Sequence, residues 1–383
     1  MKYFLIAGEA SGDLHAGRLI TALKKYDNDS QFRFLGGDCM QKASGTPPVI
    51  HYKNMAYMAF SEVLRHLSEI LGNLKSAKNA IEEFSPDAII LIDYPSFNLK
   101  IAKYAFTKSI PVYYYISPKV WAWKSWRVKS IKKYIRKMYS ILPFETDFYA
   151  QRNFTVEYVG NPTVNEIEEA KAHFPDKAAF LERHSINPDK PLLALVPGSR
   201  EGEIRNNLPL MVRAAKRFDS HRFVIAGAPN IRKDFYRKTL VDASIRAEID
   251  IVYNDTFSLL HFSDAALVTS GTATLETAVI GTPQVVCYRA NGSKLAYKLF
   301  EKILNVRFVS LPNLIADRKV VPELLLHHCN DDNMAAELIR LLDFPAERKK
   351  MLDGYREIAE RLGHSDSADE AAQRLFNDLK SGK

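Results

Sequence analysis

Apolar residues near the amino terminus fall in short unbroken runs rather than in alternation. Residues 2–8 read KYFLIAG and end on glycine; DAIILIDYPS follows at 87–96 and IPVYYYISP at 110–118. A half-exposed strand alternates apolar and polar positions, so unbroken runs bounded by Gly or Pro predict strands covered on both faces. After the first run comes LHAGRLITALKKY, with Leu14, Leu19, Ile20 and Leu23 at roughly helical spacing. The pattern restarts near the middle. PLLALVPGSREGEI (191–204) is an apolar strand, a glycine turn and the polar start of a helix. RFVIAGAPN, DIVYND, AALVTSGTATLETAVIG and TPQVVCYR follow in turn.

Two successive strand–helix series predict an α/β chain of two doubly wound Rossmann-like domains facing a cleft. The joint is expected in VEYVGNPTVNEIEEA (156–170), giving domains at 1–162 and 163–345. Residues 346–383 read as a helical segment that is free to return to the first domain. In open parallel sheets ligands bind beyond the carboxyl ends of the strands. The loops expected to carry chemistry are therefore 8–15, 93–98, 117–127, 197–205, 269–276 and 288–293.

Composition changes this picture in one place. The net charge is +8, but residues 94–144 hold eleven Lys or Arg and no acid, which leaves the rest of the chain near −3. A charge so concentrated points to a local anionic partner. The same stretch holds every tryptophan of the chain, Trp121, Trp123 and Trp126, beside Arg127, Lys129, Lys132 and Lys133. Indoles favour the membrane–water interface, and some of these also suit the domain interior. Single-stranded nucleic acid is a competing partner for a basic aromatic segment. In MAYMAF (55–60), Met58 and Phe60 are candidates for acyl-chain contact. No apolar run approaches the ~20 residues of a spanning helix. Cys39, Cys287 and Cys329 form no metal-ligand spacing and read as buried thiols of a reducing compartment. No metal and no cofactor is expected.

Three loops offer chemistry. In TSGTATLE (269–276), Gly271 allows a close backbone approach and the free N–H groups of a helix start suit a diphosphate. Ser270, Thr272 and Thr274 add hydroxyls, and Glu276 suits a ribose diol; an ordinary capped helix is the plainer reading. In PGSREGEI (197–204), Gly198, Ser199 and Arg200 offer a second phosphate-type loop, or a surface turn. GEASGDLHAG (8–17) sets Glu9, Asp13 and His15 beside Gly8 and Gly12, which suits a reacting hydroxyl better than a pyrophosphate, since a carboxylate repels the latter.

GEASGD at 8–13, VWAWKSWR at 120–127, PGSREGEI, TSGTATLE and SLPNLIADR at 310–318 occur in an order that closely resembles the lipid-A-disaccharide synthases. These are glycosyltransferases of the two-Rossmann-domain (GT-B) type, and the resemblance spans almost the whole chain. It implies inverting transfer from a UDP-activated 2,3-diacylglucosamine to a 2,3-diacylglucosamine 1-phosphate, giving a β-1,6 disaccharide phosphate and UDP. It also implies donor binding in the second domain, at 198–200, 270–276 and Asn313. Acceptor and membrane contacts are expected in the first, at Ser11, Gly12, Met58, Phe60 and the tryptophan segment. The location implied is the cytoplasmic face of the inner membrane, held peripherally, with room for a homo-oligomer. Two positions depart from the family. Ser96 in DYPSFN stands where relatives often carry an acid, and Asn161 where they carry His. Asp93 is therefore the expected base, with Glu9 and Asp13 as alternates. A UDP-sugar 2-epimerase of the same fold is the alternative enzyme.

Overall fold

The computed structural model describes residues 1–55, 67–121, 125–289 and 307–382. The chain divides into two compact units, Met1–Pro162 with His364–Lys383, and Thr163–Gly363. The first is built on strands β1 (Lys2–Ala7), β2 (Gln31–Gly36), β3 (Ile50–His51), β4 (Ala88–Ile92), β5 (Val112–Tyr115), β6 (Lys137–Ser140) and β7 (Glu157–Tyr158). Their order is β3-β2-β1-β4-β5-β6-β7, and every pairing is parallel. Strand order reverses direction between β1 and β4, the position where a doubly wound sheet opens for a ligand.

The unbroken apolar runs follow from burial on both faces. Tyr3, Leu5 and Ala7 pack on one side with Ala16, Leu19 and Leu23. Phe4 and Ile6 pack on the other with Ala77, Ile81 and Ile101. The sequence reading did not pick out β2, β3 or β6. The last of these, KMYS, lies inside the basic window, where Lys137 disguises it.

The second unit carries β8 (Leu192–Val196), β9 (Arg222–Gly227), β10 (Asp250–Tyr253), β11 (Ser263–Thr269), β12 (Gln284–Tyr288) and β13 (Glu323–Leu325), in the order β10-β9-β8-β11-β12-β13. Its order reverses between β8 and β11. The loops after those two strands are the two phosphate-type loops read from the sequence.

The segment from 346 onward is not one piece. Helix Pro345–Leu362 belongs to the second unit, and helix Ser367–Ser381 to the first. Between them Gly363 has φ +64, the left-handed region that favours glycine. The terminal helix buries Ala371, Ala372, Leu375 and Leu379 in the first unit's core. Its acids finish the contact: Asp369 accepts from Lys25 at 2.9 Å and from the Tyr26 hydroxyl at 2.8 Å. Asp378 accepts from the Tyr113 hydroxyl and from Arg136 Nε, each at 2.6 Å. Leu375 is fully buried. Leu375→Ala should lower the stability of the first unit by roughly 2–5 kcal/mol, read as an earlier urea-unfolding transition.

Candidate active site

At the first sheet's switch point the loops after β1 and β4 lock together. A Cβ on Gly8 would lie 2.4 Å from the Tyr94 ring, so glycine is required where that ring packs down. The Tyr94 hydroxyl donates to the Met55 carbonyl at 2.8 Å. Asp93 and Tyr94 are consecutive non-glycine residues with positive φ, 41° and 45°. Such conformations cost on the order of 1–3 kcal/mol each and persist only where the surroundings enforce them. Here the Asp93 carbonyl accepts from Asn98 Nδ2 at 2.7 Å and from the Tyr114 hydroxyl. The Asp93 carboxyl is raised above its ordinary range, because burial outweighs the opposing charge of Lys119 and the Tyr94 backbone N–H. A carboxylate so raised is a stronger base than an exposed one. Beside it Ser96 is exposed, and its Oγ accepts from Arg127 Nη2 at 2.9 Å.

The alternates sit differently. Glu9 is half-buried at the start of helix Ala10–Tyr26, and Ser11 is exposed in its first turn. Gly12 is buried, and a Cβ there would lie 3.3 Å from that of Ala7. Asp13 is 3% exposed and is not an open base. Its carboxylate accepts the backbone N–H groups of Gly37, Cys39 and Met40 at 2.6, 2.9 and 3.2 Å, tying helix Asp38–Ser44 to helix Ala10–Tyr26. Burial and Arg18 push His15 down to about 4, so it is neutral near pH 7. Asn161 is buried and donates to the Ile141 carbonyl at 2.7 Å, which braces the joint. Of the three thiols, Cys39 is exposed rather than buried.

The tryptophan segment divides between interior and surface. Trp121 is 8% exposed; its Nε1 donates to Glu145 Oε1 at 3.0 Å and its ring meets Phe144 edge-on at 5.1 Å. It is therefore a packing residue, not a surface anchor. Trp126 is 64% exposed, with the Arg127 guanidinium 5.6 Å from its ring. Trp123, Met58 and Phe60 lie outside the described residues. Lys129, Lys132 and Lys133 are exposed on helix Val128–Tyr134. The basic window is less bare than its sequence implies. Among the described residues, Lys108 pairs with Glu82, Arg136 with Asp378, and Lys137 with Glu157 and Asp378. The acids come from outside the window, two of them from beyond residue 150. Sequence reasoning missed Glu145 altogether. It is 1% exposed at the carboxyl side of β6, and burial pushes it up to about 8 against hydrogen bonds from Trp121 and Ser117 and the charge of Lys119.

In the second unit Gly198 has φ +116, and a Cβ there would lie 2.6 Å from that of Glu203. Glu203 Oε2 accepts the Ser199 and Arg200 backbone N–H groups at 3.0 and 3.3 Å, and Oε1 accepts from Arg200 Nη1 at 3.2 Å. The Arg200 side chain remains 64% exposed. Across the switch point, a Cβ on Gly271 would meet no atom of the described residues within 4 Å, so their packing leaves open space there. Ser270 is half-buried and Thr272 exposed at the start of helix Thr272–Ile280, whose first N–H groups have no partner within the helix. Two expected donor contacts are spent on structure instead. Thr274 is fully buried and its hydroxyl donates to the Gly271 carbonyl at 2.8 Å. Asn313 is fully buried; its amide donates to the Val321 carbonyl and Glu323 and accepts from the Val320 and Val321 N–H groups, using its whole hydrogen-bonding capacity. Glu276 is half-buried, and burial with the charge of Glu166 lifts it to about 7.

Compared with known proteins, residues 3–375 match the family model described as Lipid-A-disaccharide synthetase. The chain belongs to the lipid-A-disaccharide synthase family. A lipid-A-disaccharide synthase of Myxococcus xanthus is 39% identical, with 100% of this chain and 98% of that protein aligned. One of Acidobacterium capsulatum is 37% identical over 94% and 91%. Among solved structures, a UDP-GlcNAc 2-epimerase of Neisseria meningitidis bound to UDP-GlcNAc superposes with TM-score 0.67 at 14% identity, covering 100% of both chains. A glycotransferase of kitacinnamycin gives 0.60 at 12% identity over 99% of each. These two likenesses carry the GT-B-type fold, and the family decides between the enzymes that share it.

Asp13→Asn places an amide N–H where three backbone N–H groups converge. It should destabilise the first unit by roughly 2–4 kcal/mol. The melting temperature should fall, while single-turnover rates per folded enzyme stay within about threefold of the parent, well short of the loss expected for a general base.

Proposed function

We propose that the chain is an inverting glycosyltransferase of lipid A synthesis that joins UDP-2,3-diacylglucosamine to 2,3-diacylglucosamine 1-phosphate. The observation that carries this reading is the family match over residues 3–375. The switch-point loops of the second unit support it, since they set an exposed arginine and, among the described residues, a helix start that faces open space. The acceptor 6-hydroxyl attacks the anomeric carbon of the donor. The bond from that carbon to the diphosphate oxygen breaks, and UDP leaves with the electron pair. The hydroxyl proton passes to Asp93. Arg200 and the N–H groups at 271–273 receive the charge that develops on the diphosphate. Glu276, in its ionised form, accepts from the ribose hydroxyls.

One set of measurements tests the assignment. UDP affinity by calorimetry should fall in Arg200→Ala and in Glu276→Ala. In the parent it should weaken as pH drops through about 7, because Glu276 must lose its proton to accept from a diol. Asp93→Asn should leave UDP affinity unchanged and cut single-turnover rates by roughly 10²–10⁴-fold. The parent rate itself should fall as pH is lowered through the raised Asp93 value, since the ionised carboxylate is the active form. Unchanged UDP affinity in both second-unit variants would sink the donor site.

The reading includes peripheral attachment to the cytoplasmic face of the inner membrane. What supports it is the exposed row Lys129, Lys132 and Lys133 beside Trp126. Each such cation contributes about 1 kcal/mol at an anionic surface. Among the described residues no helix is long and apolar enough to cross a membrane. Replacing the three lysines by Gln should abolish most sedimentation with anionic vesicles at 0.15 M salt and leave binding to neutral vesicles unchanged. Equal loss on both lipids would assign the charge elsewhere, with nucleic acid the next partner to assay.

A further inference from the structure

Helix Phe144–Ala150 grips the loop after β5 at two points. Glu145 and Tyr149 stand four residues apart, on one face of the helix. Ser117 and Trp121 stand four apart in the loop. The Ser117 Oγ lies 3.0 Å from the Tyr149 hydroxyl, and Trp121 Nε1 donates to Glu145 Oε1 at 3.0 Å. All four are less than 10% exposed. Ile116, with φ +65, turns the chain into the clamped segment, and the Val120 N–H closes on the Pro118 carbonyl at 2.6 Å. Lys119 is exposed at the midpoint between the two grips. Its charge acts on both Asp93 and Glu145.

We propose that Glu145 is a positioning residue for the transfer: by holding the Trp121 indole it fixes the 117–121 segment so that Lys119 faces Asp93. This rests on the reading of Asp93 as the base. The groups around Asp93 are Lys119, the Tyr114 phenol and Arg127, which reaches Ser96. Around Glu145 they are Lys119, Trp121, Ser117 and the Tyr149 phenol. Glu145 is buried enough to stay protonated at neutral pH. A neutral Glu145 does not compete as an anion for the Lys119 charge, which favours the ionised form of Asp93.

Single-turnover rates across pH 5–9 test this, with UDP calorimetry on each variant to report an intact second unit. In Lys119→Gln the acidic limb should move to higher pH, with loss of rate on the acid side of the profile and recovery by pH 9. Lys119→Arg should restore the parent profile. Glu145→Ala should move the limb in the same direction, and Glu145→Gln, which keeps a neutral acceptor, should rescue it. A parent-like acidic limb in Lys119→Gln overturns the proposal. So does a Glu145→Ala enzyme that melts earlier with its limb unmoved, which would make Glu145 a packing residue only. If Glu145→Ala does not fold, the exposed Lys119 pair decides. Normal turnover in Asp93→Asn is a different failure, and removes the base assignment itself.

Discussion

In both units the central strands are covered on both faces, so the sheet meets ligand only along the row of loops beyond its strand ends. Everything chemical in the molecule inherits its position from that constraint. Ala7 and Ile92 are the last residues of neighbouring strands in fixed register. The glycine after one and the tyrosine after the other must therefore meet, and they do so with no room for a side chain on Gly8. Asp93 is held in its costly backbone conformation by this contact and by two donors to its carbonyl. In the second sheet Gly198 after β8 is closed in the same way, by Glu203, whereas Gly271 after β11 faces open space among the described residues. Rigid strands thus set where the loops begin, and a few close contacts settle the rest.

Much of this was legible because burial on both faces writes itself as an unbroken apolar run. The major strands, the loops that follow them and the restart of the pattern can be read without any contact information. What could not be read is where a side chain finds its partner. Asp13 sits in a loop that looks reactive, yet three backbone N–H groups of a later helix consume it. Thr274 lies in phosphate-type sequence and Asn313 in a motif shared with the family, but both are turned inward. Trp121 shares a basic, aromatic stretch with Trp126, and only the buried carboxyl of Glu145 separates their roles. Local sequence cannot encode that pairing, since Glu145 lies beyond β6, in a helix that sequence reasoning passed over.

The basic window gives the same lesson in charge. Counted along the chain it holds no acid. In space Glu82, Glu157 and Asp378 neutralise part of it, and the remainder includes a compact exposed row on helix Val128–Tyr134. The surroundings of Ser96 fit this account. Ser96 accepts from Arg127, so an acid in its place would meet a cation already within hydrogen-bonding reach. Serine keeps the contact and gives up the charge, which leaves Arg127 freer to meet an anion from outside.

The division of the chain also orders its birth. The second unit is continuous, Thr163–Gly363, whereas the first needs the helix at 367–381 to close its core. On a ribosome adding roughly 5–20 residues per second, about 200 residues separate the two parts of the first unit, a wait of roughly 10–40 s. During that time the face of helix Ala10–Tyr26 that Leu375 and Leu379 will cover stands open. The half of the protein that is made first is therefore finished last, and a nascent chain of this enzyme is most exposed to holdases and proteases through its amino-terminal half.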